Sequence, residues 1–168
     1  MMAVDTWFAW ANQLAIPGWL CLVVGLLAGG LEGRHAWAAR WARASLFVGG
    51  RLLPALLALG YAAALLQWFG TAEGGFGSLR GVELLFETRG MVLAGWLHFL
   101  AFDLWVGRWQ VDRMAAALQG STDSWHGWGW RAAVVPCLVG TLLAGPVGLL
   151  VFLALLVLHR CWRQRGEH

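Results

Sequence analysis

Apolar residues in this chain come in long blocks rather than in alternation. Four blocks approach or exceed the roughly 20 residues a helix needs to cross a bilayer. They cover residues 8–31, 46–69, 91–111 and 132–158. Polar clusters separate them: Glu32–His35 after the first, a glycine-rich stretch from Gly70 after the second, and Asp112, Arg113 and residues 121–124 after the third. The pattern predicts an all-α membrane protein, four transmembrane helices in one bundle, forming a single domain with no separable soluble part. Between the second and third blocks, Leu79, Val82, Leu85 and Phe86 recur at helical spacing, with Arg80, Glu83 and Glu87 on the other side. That spacing predicts a short amphipathic helix, lying on the surface or partly re-entrant, with Ser78 as its N-cap.

Prolines and glycines refine the spans. Pro17 marks a kink or the true start of the first helix, while Pro136 and Pro146 predict a bent or broken fourth helix. Residues 36–45 read as a short basic connector in the headgroups. Gly25–Gly29 and the group Gly140, Gly145 and Gly148 read as sites of close helix packing. Four crossings would put both termini on one side of the membrane. Arginines 80, 89, 160, 163 and 165 would then share that side, against 34, 40, 43, 51, 108, 113 and 131 opposite. The positive-inside rule leans from this towards termini outside. The opening MMAVDTW has no basic residue, unlike the start of a cleaved signal peptide.

Composition agrees with the blocks. Hydrophobic residues make up 60% and charged residues 12% of the chain, and mean hydropathy is +0.63, values of the membrane class. All 12 basic residues are arginine and the net charge is +3, a balance suited to anionic headgroups. The arginines are scattered at segment ends, which argues against a nucleic-acid face. Cys21, Cys137 and Cys161 show no CxxC spacing, so neither a disulfide framework nor a zinc site is expected. Many of the 13 tryptophans fall near segment ends, where the membrane interface attracts the indole ring.

Candidate chemistry concentrates in the third block, GMVLAGWLHFLAFDLWVGRWQ, which carries His98 and Asp103 in its interior. A charged side chain at that depth costs a few kcal/mol or more without a partner or a purpose. At a rise of ~1.5 Å per residue, Asp103 and Arg51 fall at the same depth to within about a turn. An ion pair between them is therefore expected, structural as readily as functional. Arg108, Arg131 and Glu32–His35 lie towards the same face, as the rim of a polar funnel. His98 and Asp103 are five positions apart, about 140° around the helix, and cannot clasp one ion. His98 shares a face with Phe102 and Trp105, and Asp103 shares one with Trp96, Phe99 and Gly107. Two aromatic faces, each with one polar group, fit the walls of a cleft for a long apolar ligand. The plainer readings are a packing histidine, aromatic faces that only pack, and a solvated face for Glu83 and Glu87.

With these residues in view, the chain resembles the small integral-membrane family of plants and bacteria typified by the plant abscisic-acid-deficient, neoxanthin-forming protein. The matching motifs are Gly95-Trp96-Leu97-His98, Ala101-Phe102-Asp103-Leu104, Gly107-Arg108-Trp109, Pro136-Cys137-Leu138 and Gly145-Pro146-Val147-Gly148. The first two spans match by hydropathy only. The resemblance implies carotenoid metabolism: plant members are needed to convert violaxanthin to neoxanthin. That step opens an epoxide to an allenic alcohol with no net change in composition. Such an isomerisation needs a general acid at the epoxide oxygen and a base at a ring-adjacent carbon.

The resemblance places His98, Asp103 and Arg108 in catalytic roles, with Arg108 orienting a carboxylate or a terminal hydroxyl. The binding set comprises Trp96, Phe99, Phe102, Trp105, Arg51 and Glu87. No cofactor is expected, since haem or metal would need His98 together with His35 in a loop or His159 on the wrong side. The implied partners are a carotenoid or other long apolar isoprenoid, membrane lipids, and a second copy or a partner enzyme of the pigment pathway. The arginine-only, glycine-rich composition points to a bacterial inner membrane. The competing class is a non-catalytic carotenoid-binding module that supports such an enzyme. A small transporter is disfavoured by the lack of an evident inverted repeat.

Overall fold

The block that carries His98 and Asp103 folds as one unbroken α-helix of 29 residues, and the other helices are arranged around it. The computed structural model describes residues 2–32, 35–119 and 124–165. In chain order the helices are α1 (Met2–Ala28), α2 (Ala36–Phe47), α3 (Leu53–Trp68), α4 (Leu79–Glu87), α5 (Arg89–Ala117), α6 (Ser124–Ala144) and α7 (Pro146–Arg165). Five helical segments are long and apolar enough to cross a membrane, one of them the continuous run Ala36–Thr71. The chain is thus a multi-helix membrane protein, as its hydropathy predicts.

Helix α1 runs parallel to α5. Asp5 pairs with Arg89, Trp96 Nε1 donates to Asn12 Oδ1 at 3.2 Å, and Gly107 presses against the Trp19 ring. Pro17 neither starts nor ends α1, which continues through it, because the helix begins at Met2 and Pro17 lies well inside. The expected boundary at residue 8 is therefore corrected to the first residues of the chain.

The expected headgroup connector, residues 36–45, is instead the first part of one long helix with α3. The two parts join through a π-turn over Val48–Leu52. Pro54, just beyond it, has no N–H to donate to the carbonyl four residues earlier, and the widened turn takes up that mismatch. The same turn brings two glycines against neighbours. A β-carbon at Gly49 would sit 2.5 Å from the Gly18 carbonyl oxygen, and one at Gly50 would meet the Arg108 stem. This helix is antiparallel to α5, with Tyr61 beside His98 at 5.3 Å between ring centroids and Trp68 against Gly90.

Helix α4 forms as predicted, with Ser78 Oγ accepting from Gly81 N at 3.0 Å. Leu85 is its buried contact and Leu79 stays exposed.

The predicted fourth span is overturned. Residues 132–158 are not one crossing but parts of two antiparallel helices that reverse at Gly145. Its φ of +34° lies in the left-handed region, where a residue without a β-carbon is favoured. Pro146 then starts α7, where its missing N–H leaves nothing unpaired. A β-carbon at Gly140 would lie 3.2 Å from Gly148 Cα, and Trp130 meets His159 at 4.9 Å, so α6 and α7 pack along their length. Continuous hydropathy reads through such a turn; the Gly-Pro pair was its signal.

The reversal changes the topology. The N-terminus lies with Arg89 at one end of α5. The last turns of α7 lie beside Arg113, Ala116 and Ala117 at the other. The two termini are therefore at opposite ends of the bundle, not on one side. Among the described residues, Arg80 and Arg89 stand at the first end. The other nine arginines (40, 43, 51, 108, 113, 131, 160, 163 and 165) stand in the opposite half.

Candidate functional site

Asp103 is the midpoint of α5, fourteen residues from Arg89 and from Ala117. It is 8% exposed, walled on one side by the α6–α7 reversal: a β-carbon at Gly145 would lie 3.0 Å from Asp103 Oδ1. Asp103 Oδ2 is fully buried and has no hydrogen-bond partner among the described residues. Two further buried atoms nearby are also unsatisfied, Trp19 Nε1 and Gln110 Oε1. Trp19 touches Gly107, one turn beyond Asp103, and Gln110 lies seven positions on, along the same stripe of α5. Gln110 Nε2 donates to Thr141 Oγ1 at 2.8 Å, and that hydroxyl donates to the Cys137 carbonyl at 2.9 Å. A polar seam thus runs between α5 and the hairpin. Among the described residues one donor and two acceptors in it lack partners, and each such buried group costs about 1–3 kcal/mol.

The expected Arg51–Asp103 ion pair does not form. Arg51 is exposed and lines a cleft between α3 and α5, whereas Asp103 faces α6 and α7. Depth along the membrane matched, but direction around the helix did not. With the pair goes the funnel, because Arg108 is also engaged elsewhere. Its Nη1 donates to the Leu46 carbonyl at 2.6 Å and its Nε to Asp112 Oδ2 at 2.8 Å. Arg131 Nη1 likewise donates to a backbone carbonyl, Leu26, at 3.2 Å.

The two aromatic faces are present as the helical wheel predicts. His98 stacks on Phe102 at 4.8 Å, with Trp105 next along, beside a cleft of ≈ 530 Å³ lined by Arg51, Pro54, Ala58, Phe102 and Trp105. On the opposite face, Trp96 stacks on Phe99 at 5.5 Å. This pair lines a second apolar cleft of ≈ 450 Å³ with Asn12, Trp19, Leu100 and Leu142. Leu100 is one turn before Asp103 on α5, and Leu142 one turn before Gly145 on α6. The carboxyl therefore stands one turn beyond the residues of this second cleft. Glu87 is exposed on α4, apart from both clefts.

His98, Asp103 and Arg108 are accordingly not brought together: His98 packs on Tyr61 and Phe102, Asp103 lies in the hairpin seam, and Arg108 forms a strut to α2. The seam residues that sequence reading passed over are Trp19, Gln110 and Thr141. Gln110 was legible, being seven residues from Asp103 on one face. Trp19 and Thr141 enter only through the packing of α1 and the hairpin. Among the described residues, no three His, Cys, Asp or Glu side chains lie close enough to share a metal ion.

Comparison with curated proteins and with solved structures finds no match to this chain. A family model does match, and it covers both aromatic faces, Asp103 and the hairpin apex. Over residues 6–152 the match is to the ABA DEFICIENT 4-like model, and the chain belongs to that family.

Proposed function

We propose that this protein is an integral-membrane isomerase of a carotenoid-like lipid, with Asp103 as its acid–base group. The observation that carries the reading is the buried Asp103 carboxyl. One oxygen lacks a partner among the described residues, the group stands at the mid-length of a membrane helix, and an apolar cleft begins one turn away. Ionisable groups in such positions are rare and usually functional. The cleft walls, Trp96 and Phe99 with Leu100 and Leu142, suit a flat, long apolar molecule. A carboxyl has two oxygens, so one group can give a proton to an epoxide oxygen and take one from the neighbouring carbon. The C–O and C–H bonds break, an O–H bond and a new carbon–carbon double bond form, and no atom is gained or lost. His98 then supports Phe102 from beside the α3 cleft, and Arg108 belongs to the packing of α5 against α2.

The distribution of arginines supports an orientation in the membrane. Nine of eleven described arginines lie in the half that includes the open ends of α6 and α7, so the positive-inside rule favours that end in the cytoplasm. In this orientation α1, the Ala36–Thr71 helix and α5 cross, while α6 and α7 enter from the cytoplasmic face and turn back at the level of Asp103.

Expression in a carotenoid-accumulating host tests the function, with mass and absorption spectra of the pigments and of lipid extracted from the purified protein. Wild type is expected to alter the pigment, and Asp103→Asn to abolish the change. No altered pigment and no bound isoprenoid would overturn the assignment. Two open apolar clefts also favour a second reading, a lipid-binding module without catalysis. It predicts unchanged pigment in the extract and binding that survives Asp103→Asn.

A further inference from the structure

At the arginine-rich end, the last turns of α5 and α7 enclose a cavity of ≈ 240 Å³ lined by Arg113, His159, Arg160 and Arg163 over Ala116 and Leu156. That is room for several waters. Among the described residues no carboxylate lines it, and Asp112, the acidic neighbour of Arg113, is engaged by Arg108. His159 is buried at its base, its ring held edge-on by Trp130. Trp130 in turn lies 6.2 Å from the half-exposed Trp162. Indole rings mark the headgroup level of a bilayer, so the cavity opens at the depth of lipid phosphates. Arg113 and Arg160 line it together with His159, and Ala116 and Leu156 supply its apolar wall. Guanidinium groups donate in a fork that fits phosphate oxygens.

We infer that this cavity is a binding site for a phosphate group, distinct from the Asp103 seam and independent of the proposed reaction. An anionic phospholipid headgroup supplies that chemistry, and so does a soluble phosphate or pyrophosphate.

The test uses the full chain purified in neutral detergent, with native mass spectrometry counting phosphatidylglycerol and phosphatidylcholine bound during titration. Wild type is expected to retain phosphatidylglycerol preferentially. The pair Arg113→Gln/Arg160→Gln is expected to weaken it by about fivefold per arginine removed. Arg40→Gln/Arg43→Gln removes the same charge from the same half and is expected to leave retention unchanged. A second arm titrates inorganic phosphate and pyrophosphate into protein free of lipid. Saturable binding there, lost in Arg113→Gln/Arg160→Gln without a preference among lipids, assigns the site to a soluble ligand. Melting temperature in phosphatidylcholine checks that each variant folds, with Arg160→Gln alone as the milder substitution. Equal losses in both arginine pairs, or no anion binding in either arm, would overturn the inference.

Discussion

Asp103 and Gly145 touch: the carboxyl at the middle of α5 stands against the turn through which α6 and α7 reverse. A β-carbon at residue 145 would come within 3.0 Å of Asp103 Oδ1, and the φ of +34° would strain any residue that carried one. The hairpin apex and the buried carboxyl are therefore one structural unit.

Gly145→Ala is expected to lower stability by about 1–3 kcal/mol through backbone strain, measured by thermal melting in detergent. Combining it with Asp103→Ala removes the contact but not the strain, so the double variant should recover only part of the loss. A Gly145→Ala protein that melts like wild type would mean the apex is not held as described.

Asp103 is expected to separate stability from function. Its unpartnered oxygen is buried, so Asp103→Leu should be neutral or stabilising by roughly 1–2 kcal/mol while abolishing pigment conversion. Asp103→Asn keeps the shape and should also be inactive. Substantial destabilisation by Asp103→Leu would instead reveal a structural partner for the carboxyl.

Topology can be read from thiol labelling in intact cells. Cys161 is exposed at the arginine-rich end and Ser78 lies at the other. A membrane-impermeant maleimide should label a Ser78→Cys protein from outside and reach Cys161 only after permeabilisation. Four full crossings would put residues 78 and 161 on the same side, so equal labelling of both in intact cells would reject the hairpin.

Close packing within the hairpin should show as a contrast between glycines. A β-carbon at Gly148 would fall 2.0 Å from the Thr141 amide nitrogen, whereas one at Gly127 meets nothing within 4 Å among the described residues. Gly148→Ala is expected to lower the melting temperature and weaken the Gln110–Thr141 hydrogen bond. Gly127→Ala should be neutral or slightly stabilising, since alanine is favoured over glycine in a helix by about 1 kcal/mol.

Arg108→Lys is expected to cost about 1–2 kcal/mol, because lysine loses the fork that reaches the Leu46 carbonyl and Asp112 together. Pigment conversion per folded molecule should be unchanged. A fall in specific activity with unaltered melting would return Arg108 to the catalytic set.

Composition and local period, read from the chain alone, settled the class of the fold and its local features. Apolar blocks made membrane helices, Ser78 capped α4, and the positions of His98, Phe102 and Trp105 against Trp96, Phe99 and Asp103 set two separate faces of α5. The family was also legible in the sequence, and its model matches residues 6–152. Direction around neighbouring helices was not legible. Arg51 and Asp103 share a depth but look opposite ways, and nothing in either segment's own pattern records that. The hairpin escaped for a related reason: hydropathy measures how apolar a residue is, not which way the chain travels. Reversal depends on one left-handed glycine and on Gly140 and Gly148 letting two backbones meet. Only packing brought Gly145 to Asp103 and left Trp19, Asp103 and Gln110 with unmatched polar atoms along one buried seam.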